Sequence, residues 1–377
     1  MTCLKDGKNP HVWLLDDRPG HQTQALGLVQ ALQALKPLQS EEKYLSFNAL
    51  NLVPNAVLGA SLRALNRAKS STLNPPFPDL VIAMGRRTAP VARWIKRQSG
   101  GRTIVVVLGR KAASDPYLVD MSVSCTHFGL YPHARLTELV VPPTQVNGAV
   151  MARLKREKQD PMDDIAHPHV VWLLGGPTAQ HTMEESFARR MAIDIIEASN
   201  KLGAGLAIVT SRRTPHPVID MLEILAPDAH IHRWQRHNKD NPYLSYLAHA
   251  DFLVVTGESE SMLAEAVATT HPLTIYPLAA KPATIKLKFS GWLRQQAQGS
   301  GYLNTVCARI LTGGWITPPR NLDTMHKLIE AKGLGCVFNG EINCKPLKKN
   351  DETVTLARQI LTMLEHRTAS GEGQPTP

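Results

Sequence analysis

Two serines and three glutamates crowd together in the order Glu258, Ser259, Glu260, Ser261 and Glu265, within the stretch DFLVVTGESESMLAEAVATTHPLTIYPL that spans residues 251–278. Asp251 to Thr256 is a short apolar run ending in a small polar residue, which predicts a buried parallel strand. Gly257 to Ser261 is a turn. Met262, Leu263, Ala266 and Val267 then have helical spacing, and Leu273–Tyr276 supplies the next strand. A loop at the carboxyl end of a strand and the amino end of a helix is where open α/β sheets bind ligands. Free N–H groups and the positive helix end favour phosphate there. Ser259 and Ser261 add hydroxyl donors. Glu265, about one turn into the helix, can accept from both hydroxyls of a ribose. The competing reading is a capping serine and a solvated glutamate on an ordinary βα unit.

Other residues could share that chemistry. Gly175-Gly176-Pro177-Thr178 lies between a strand and a helix, and glycines let a phosphate approach the backbone closely. A full G-x-G-x-x-G and P-loop spacing are both absent, which disfavours dehydrogenase and kinase readings. The plainer reading is a tight turn. Ser211-Arg212-Arg213-Thr214 puts two guanidinium groups at a neighbouring strand end, where arginine pairs bidentately with phosphate oxygens. The alternative is a solvated turn. His21 follows Gly20 at a helix start, and a neutral imidazole suits removal of a proton from an acceptor hydroxyl. It could equally bond its own turn. Asp16-Asp17 and Asp163-Asp164 read as turn and linker aspartates, and the fifteen histidines include no H-E-x-x-H, so no metal site is expected.

The elements that must position these residues alternate between strand and helix, which means parallel sheets. In the first half, strands are expected at 11–15, 42–47, 79–83, 103–108, 119–123 and 138–141, with helices at 22–35, 55–68 and up to about residue 98. Residues 151–168 are charged and carry prolines, and read as a linker. Val171-Trp172-Leu173-Leu174 then repeats Val12-Trp13-Leu14-Leu15. A second echo links Arg86-Arg87-Thr88 to Arg212-Arg213-Thr214, each after an apolar strand. Two such matches predict two similar βαβ halves. The expected division is an N-terminal Rossmann-like domain at 1–150, the linker at 151–168, a C-terminal Rossmann-like domain at 169–350, and a last helix with a disordered tail at 351–377.

Composition bounds the function. The chain has 377 residues, enough for two cores, and 43% of them are hydrophobic. A formal charge of +10 suggests anionic partners. With only 5% aromatics and no nucleic-acid signature, nucleic acid has the lowest weight among them. Five irregularly spaced cysteines argue against a disulfide framework or a zinc site and suit a reducing cytosol. The N-terminus lacks the apolar core of a signal peptide, and no apolar run reaches membrane-spanning length. The expected location is cytoplasmic, with any membrane contact peripheral on the inner face.

Asp17-Arg18-Pro19-Gly20-His21-Gln22-Thr23-Gln24, followed by Leu26-Gly27, resembles the opening signature of the mitochondrial-fission "elongated mitochondria" family and its bacterial relatives. Leu174-Gly175-Gly176-Pro177, Thr210 to Pro215, and Val255 to Met262 with Glu265-Ala266 resemble its later signatures, in order. The resemblance spans roughly residues 10–330. It implies a GT-B-like fold, two Rossmann-like domains facing a cleft, as in nucleotide-sugar transferases. It further implies His21 as catalytic base and a donor site of Gly175, Gly176, Ser211, Arg212, Arg213, Gly257, Ser259, Ser261, Met262 and Glu265. The acceptor side would hold Asp17, Arg18, Gly20, Arg86 and Arg87. Glu258 and Glu260 depart from the family pattern by adding negative charge beside a phosphate site. The resulting expectation is an inverting, metal-independent glycosyltransferase without a cofactor, its co-substrate a nucleotide-diphosphate sugar. The acceptor would be a cell-envelope glycan or lipid-linked saccharide, and an anionic membrane surface would be a partner. The alternatives are a non-catalytic interaction protein on the same fold and a nucleotide-sugar epimerase.

Overall fold

A computed structural model of the chain describes residues 9–16, 19–109, 118–236, 241–282, 285–299, 301–312, 315–316 and 320–369. The described chain forms two compact units. The first comprises residues 1–145, 283–321 and 351–377, and the second comprises 146–282 and 322–350.

In the first unit, strands β1 (His11–Asp16), β2 (Gln39–Tyr44), β3 (Leu80–Met84), β4 (Ile104–Leu108), β5 (Met121–Cys125) and β6 (Leu136–Leu139) form one parallel sheet in the order β2-β1-β3-β4-β5-β6. The chain leaves β1 in one direction to β2 and returns in the other through β3. The topological switch therefore lies between β1 and β3. Val12, Leu14, Ile82, Val106 and Val123 point to one face, where they meet helix α1 (Pro19–Leu35). Trp13, Leu15, Val81, Ala83, Val105 and Val107 point to the other, against Val91, Ala92 and Ile95 of helix α3 (Gly85–Gln98). The period of two is what a sheet covered on both faces requires. Pro19 begins α1, where its missing N–H costs nothing. The helix expected over 55–68 is only a four-residue turn, α2 (Asn55–Leu58), because Pro54 and Gly59 bound it.

The second unit opens with helix α4 (Gly148–Glu157), capped by the Asn147 carboxamide. The charged stretch expected to be a linker over 151–168 begins in this helix, continues as turns, and is part of this unit. Its charges lie on the solvent face while Met151 is buried. Strands β7 (His169–Leu174), β8 (Gly205–Thr210), β9 (His230–His232), β10 (Phe252–Thr256), β11 (Leu273–Tyr276) and β12 (Cys336–Val337) form a parallel sheet in the order β12-β11-β10-β7-β8-β9. Read by appearance that is 6-5-4-1-2-3, the order of dinucleotide-binding folds, with its switch between β7 and β10. Helices α5 (Glu185–Lys201), α6 (His216–Leu225), α7 (Tyr243–His249) and α8 (Glu260–Thr269) connect the strands. The Val-Trp-Leu-Leu echo is structural: it forms β1 and β7, with both tryptophans almost wholly buried. The arginine echo is not, because β3 adjoins its unit's first strand on the switch side and β8 adjoins β7 on the other.

Helices α9 (Ile285–Gln298) and α10 (Tyr302–Thr312) belong to the first unit, whereas α11 (Leu322–Ala331) belongs to the second. Helix α12 (Glu352–Ala369) returns to the first unit. Its Leu356, Ala357, Ile360, Leu361 and Leu364 complete the core beneath α1, and the Glu352 carboxylate accepts the Val140 amide at 2.8 Å. No described helix is long and apolar enough to cross a membrane.

Candidate functional site

The carboxyl ends of β7, β8 and β10 carry three short turns, and side chains lock these turns together. After β7, the Gly175 amide donates to Thr256 Oγ1 at 2.8 Å and the Gly176 amide to Glu258 Oε1 at 3.0 Å. After β8, Thr214 Oγ1 donates back to the strand-end carbonyls of Leu174 and Gly175, at 2.9 and 2.7 Å. The same hydroxyl accepts the Ser211 amide, and Ser211 Oγ accepts the Arg213 amide. Arg213 then extends its guanidinium to Glu258 Oε1 at 2.9 Å. Gly175 and Gly176 are required by this closeness: a Cβ on Gly175 would lie 1.8 Å from Glu258 Oε1, and one on Gly176 would lie 2.1 Å from the Arg213 carbonyl.

Glu258 is the centre of the arrangement. It is 1% exposed, and burial pushes its carboxyl up from the usual range despite the opposing pull of the Gly176 amide and Arg213. Its Oε2 is buried without a hydrogen-bond partner among the described residues. A carboxylate held by a backbone N–H and a guanidinium, at the switch point of a doubly wound sheet, is an oxyanion in a phosphate's customary place. The extra charge at this position is thereby accommodated: the side chain turns inward and takes up the Gly176 amide and the Arg213 guanidinium. Its inward turn was hidden in the sequence because the partner guanidinium is 45 residues away.

The remaining donor-side residues divide. Ser259 is buried as the N-cap of α8 but makes no capping side-chain bond. Ser261 is exposed in the first turn, beside the half-buried Met262. Arg212 is exposed, while Arg213 is half-buried on Glu258. Gly257 serves packing, since its carbonyl accepts His326 Nε2 at 2.7 Å and a Cβ would strike that ring. Glu265 accepts the Tyr243 hydroxyl at 2.6 Å, and burial pushes its carboxyl up to about 7. Burial and Glu265 together hold the Tyr243 phenol well above its ordinary range. Sequence reasoning missed both Tyr243 and His326. They reach the site from α7 and α11, and neither carries a local motif.

In the first unit, Arg86 and Arg87 begin α3 at the switch between β1 and β3, following Gly85 at φ +73°. The Arg86 guanidinium donates to the carbonyls of Val53 and Asn51, so it holds the 51–53 turn rather than standing open to an acceptor. Burial and the neighbouring Arg87 charge lower its pKa. Gly20 and His21 lie in the first turn of α1. Asp17, Arg18 and the side chain of His21 lie outside the described residues.

Two parallel six-stranded sheets, each wrapped by helices, define an α/β protein of two Rossmann-like domains, the GT-B-like class expected above. The chain belongs to the family described as Mitochondrial fission ELM1, which matches residues 19–298. It is 23% identical over 310 residues to the Mitochondrial fission protein ELM1 of Arabidopsis thaliana, covering 74% of this chain and 70% of that one. It is also 23% identical to the Uncharacterized protein RP120 of Rickettsia prowazekii, covering 71% and 83%. Among solved structures, a UDP-GlcNAc 2-epimerase of Methanocaldococcus jannaschii aligns with 94% of this chain and 99% of its own, at TM-score 0.48 and 9% identity.

Proposed function

We propose that the protein is a glycosyltransferase whose second unit binds a nucleotide-diphosphate sugar at the carboxyl edge of its sheet. One observation carries the reading: at the switch point, a backbone amide and a guanidinium already hold an oxyanion, the Glu258 carboxylate. The diphosphate would lie outside this carboxylate, against Arg212, the outer face of Arg213, Ser259, Ser261 and the positive end of α8. Ionised Glu265 would accept from the ribose hydroxyls, with the Tyr243 hydroxyl holding its other oxygen. His21 is assigned the proton of the acceptor hydroxyl. The freed oxygen attacks the anomeric carbon, the bond to the diphosphate breaks, and the nucleoside diphosphate leaves with the bonding electrons. Configuration inverts in that single displacement. Arginine and helix-end amides supply the charge stabilisation, so no metal is assigned to the step.

The acceptor is assigned to the cell-envelope class, glycan or lipid-linked, reached at an anionic membrane. Support for the membrane comes from α9, where Ile285, Phe289 and Trp292 follow one another at i, i+4 and i+7 and are all exposed beside the exposed Lys288. The inner leaflet face is the proposed location.

Glu258 also favours a second reading, a non-catalytic interaction protein, because it consumes the donors of the glycine turn. Calorimetry with a panel of nucleoside diphosphates separates the two. The transferase reading expects binding that weakens about tenfold to a hundredfold in both Glu265→Ala and Arg212→Ala, the loss of charge-assisted hydrogen bonds. Absence of binding across the panel in the wild type would leave the interaction reading standing. Product analysis then distinguishes a glycosylated acceptor from an epimerised sugar.

A further inference from the structure

The opposite edge of the second sheet, where β7 begins, carries two histidines and an aspartate that no step above uses. Asp160, His167 and His169 each present a ligand-capable atom, and these atoms lie within 4.8 Å of one another. His169 is 0% exposed. Its Nε2 lies 3.3 Å from the Ile165 carbonyl, an acceptor, so the N–H of a neutral ring sits on Nε2. Nδ1 is then a bare lone pair, buried without a hydrogen-bond partner among the described residues. It faces Asp160 Oδ2 at 3.7 Å, while Asp160 Oδ1 accepts the Met162 amide. Two acceptors thus face each other across a gap too long for a hydrogen bond.

His167 stacks on His169 with ring centroids 3.8 Å apart, and its Nδ1 lies 3.5 Å from Asp251 Oδ2. Asp251 Oδ2 also accepts the His169 amide at 2.7 Å, which fixes the carboxylate in place. A carbonyl behind one imidazole and a carboxylate behind the other is the outer arrangement that orients metal-ligating histidines.

We propose that Asp160, His167 and His169 bind one divalent transition-metal cation of the zinc class. Imidazole nitrogen and carboxylate oxygen are the donors that suit zinc, and three protein ligands leave a fourth position for water. Bonds of zinc length in a tetrahedron place ligand atoms ~3.3 Å apart, so Asp160 and His169 need close only slightly. The exposed His167 ring swings to complete the set. The ion ties the 158–168 segment to the first residue of β7. It lies a whole strand, roughly 20 Å, from Gly175, and is therefore separate from the diphosphate site.

The test is titration of the metal-free full chain with Zn2+ against a chromogenic chelator, alongside thermal melts. The expected result is one tight equivalent and a melting temperature that rises with Zn2+. Asp160→Asn and His167→Ala, both outside the hydrophobic core, should each weaken binding at least tenfold and abolish the rise. Asp251→Asn should weaken it about 10–100-fold through loss of orientation. His230→Ala, in the neighbouring histidine pair with Asp164, should change nothing. If the wild type takes up no stoichiometric zinc, or if Asp160→Asn and His167→Ala both bind as the wild type does, the proposal fails.

Discussion

A carboxyl raised to about 7 by burial makes Glu265 a pH-dependent element of the site. Its folded pKa exceeds its unfolded one, so the folded state binds more protons between about pH 4.5 and 7. Stability should therefore fall as pH rises through that window. Glu265→Gln should remove up to about 3 kcal/mol of this slope. Melts of wild type and variant across that range check it, and the difference isolates Glu265 from Glu258, whose carboxyl is raised as well. Nucleotide binding should run the other way, strengthening as Glu265 ionises above pH 7. At Gly175, an alanine Cβ must displace the Glu258 carboxylate and crowd Thr256 Oγ1. Gly175→Ala should destabilise by about 2–4 kcal/mol, measured by urea unfolding. Glu258→Gln keeps the shape and removes the charge. It should tighten nucleoside diphosphate binding several-fold in calorimetry, since like charge no longer opposes the ligand. Much at this scale was legible: the strand-end placement of Gly175, Arg213 and Ser259, and the helical position of Glu265, follow from apolar runs broken by small residues. The direction in which a charged side chain turns was not, because Arg213, Tyr243 and His326 approach from turns and helices distant in sequence.

Helix α12 shows how an element's partners escape a local reading. Its stripe of Leu356, Ala357, Ile360, Leu361 and Leu364 has the spacing of one helix face, which is why the helix itself was legible. Nothing in that spacing says that the face covers α1, more than 300 residues earlier. Ile360→Ala should cost about 2–4 kcal/mol, visible as a lower melting temperature. Helices α9 and α10 add apolar side chains that face outward. Leu293 and Ala297 of α9 pack with Cys307 and Leu311 of α10 in a small core, while Ile285, Phe289, Trp292, Tyr302 and Leu303 stay exposed. Phe289→Ala combined with Trp292→Ala should lower co-sedimentation with phosphatidylglycerol vesicles at least about tenfold, given the apolar area lost. The melting temperature should not move. Undiminished vesicle binding in that double variant would exclude α9 as the membrane contact.

At the scale of the whole molecule, the fold class was legible because most strands of both sheets are short apolar runs alternating with helices, each series opening on Val-Trp-Leu-Leu. The division of the chain was not, since contiguous segments were expected and the chain passes between units after residues 145, 282, 321 and 350. A fragment ending at residue 150 therefore lacks α12 over α1. It should show no cooperative thermal transition by circular dichroism, whereas the full chain should.

The same interleaving dictates the order of events at the ribosome. The second unit has all its parts by residue 350, but the first unit's sheet, made earliest, waits for Leu364. At roughly 5–20 residues per second, the first unit's sheet must persist unfinished while about two hundred further residues are made, until α12 emerges. During that interval its greasy underside is a ready target for chaperones, and a stop codon ahead of α12 would strand it there.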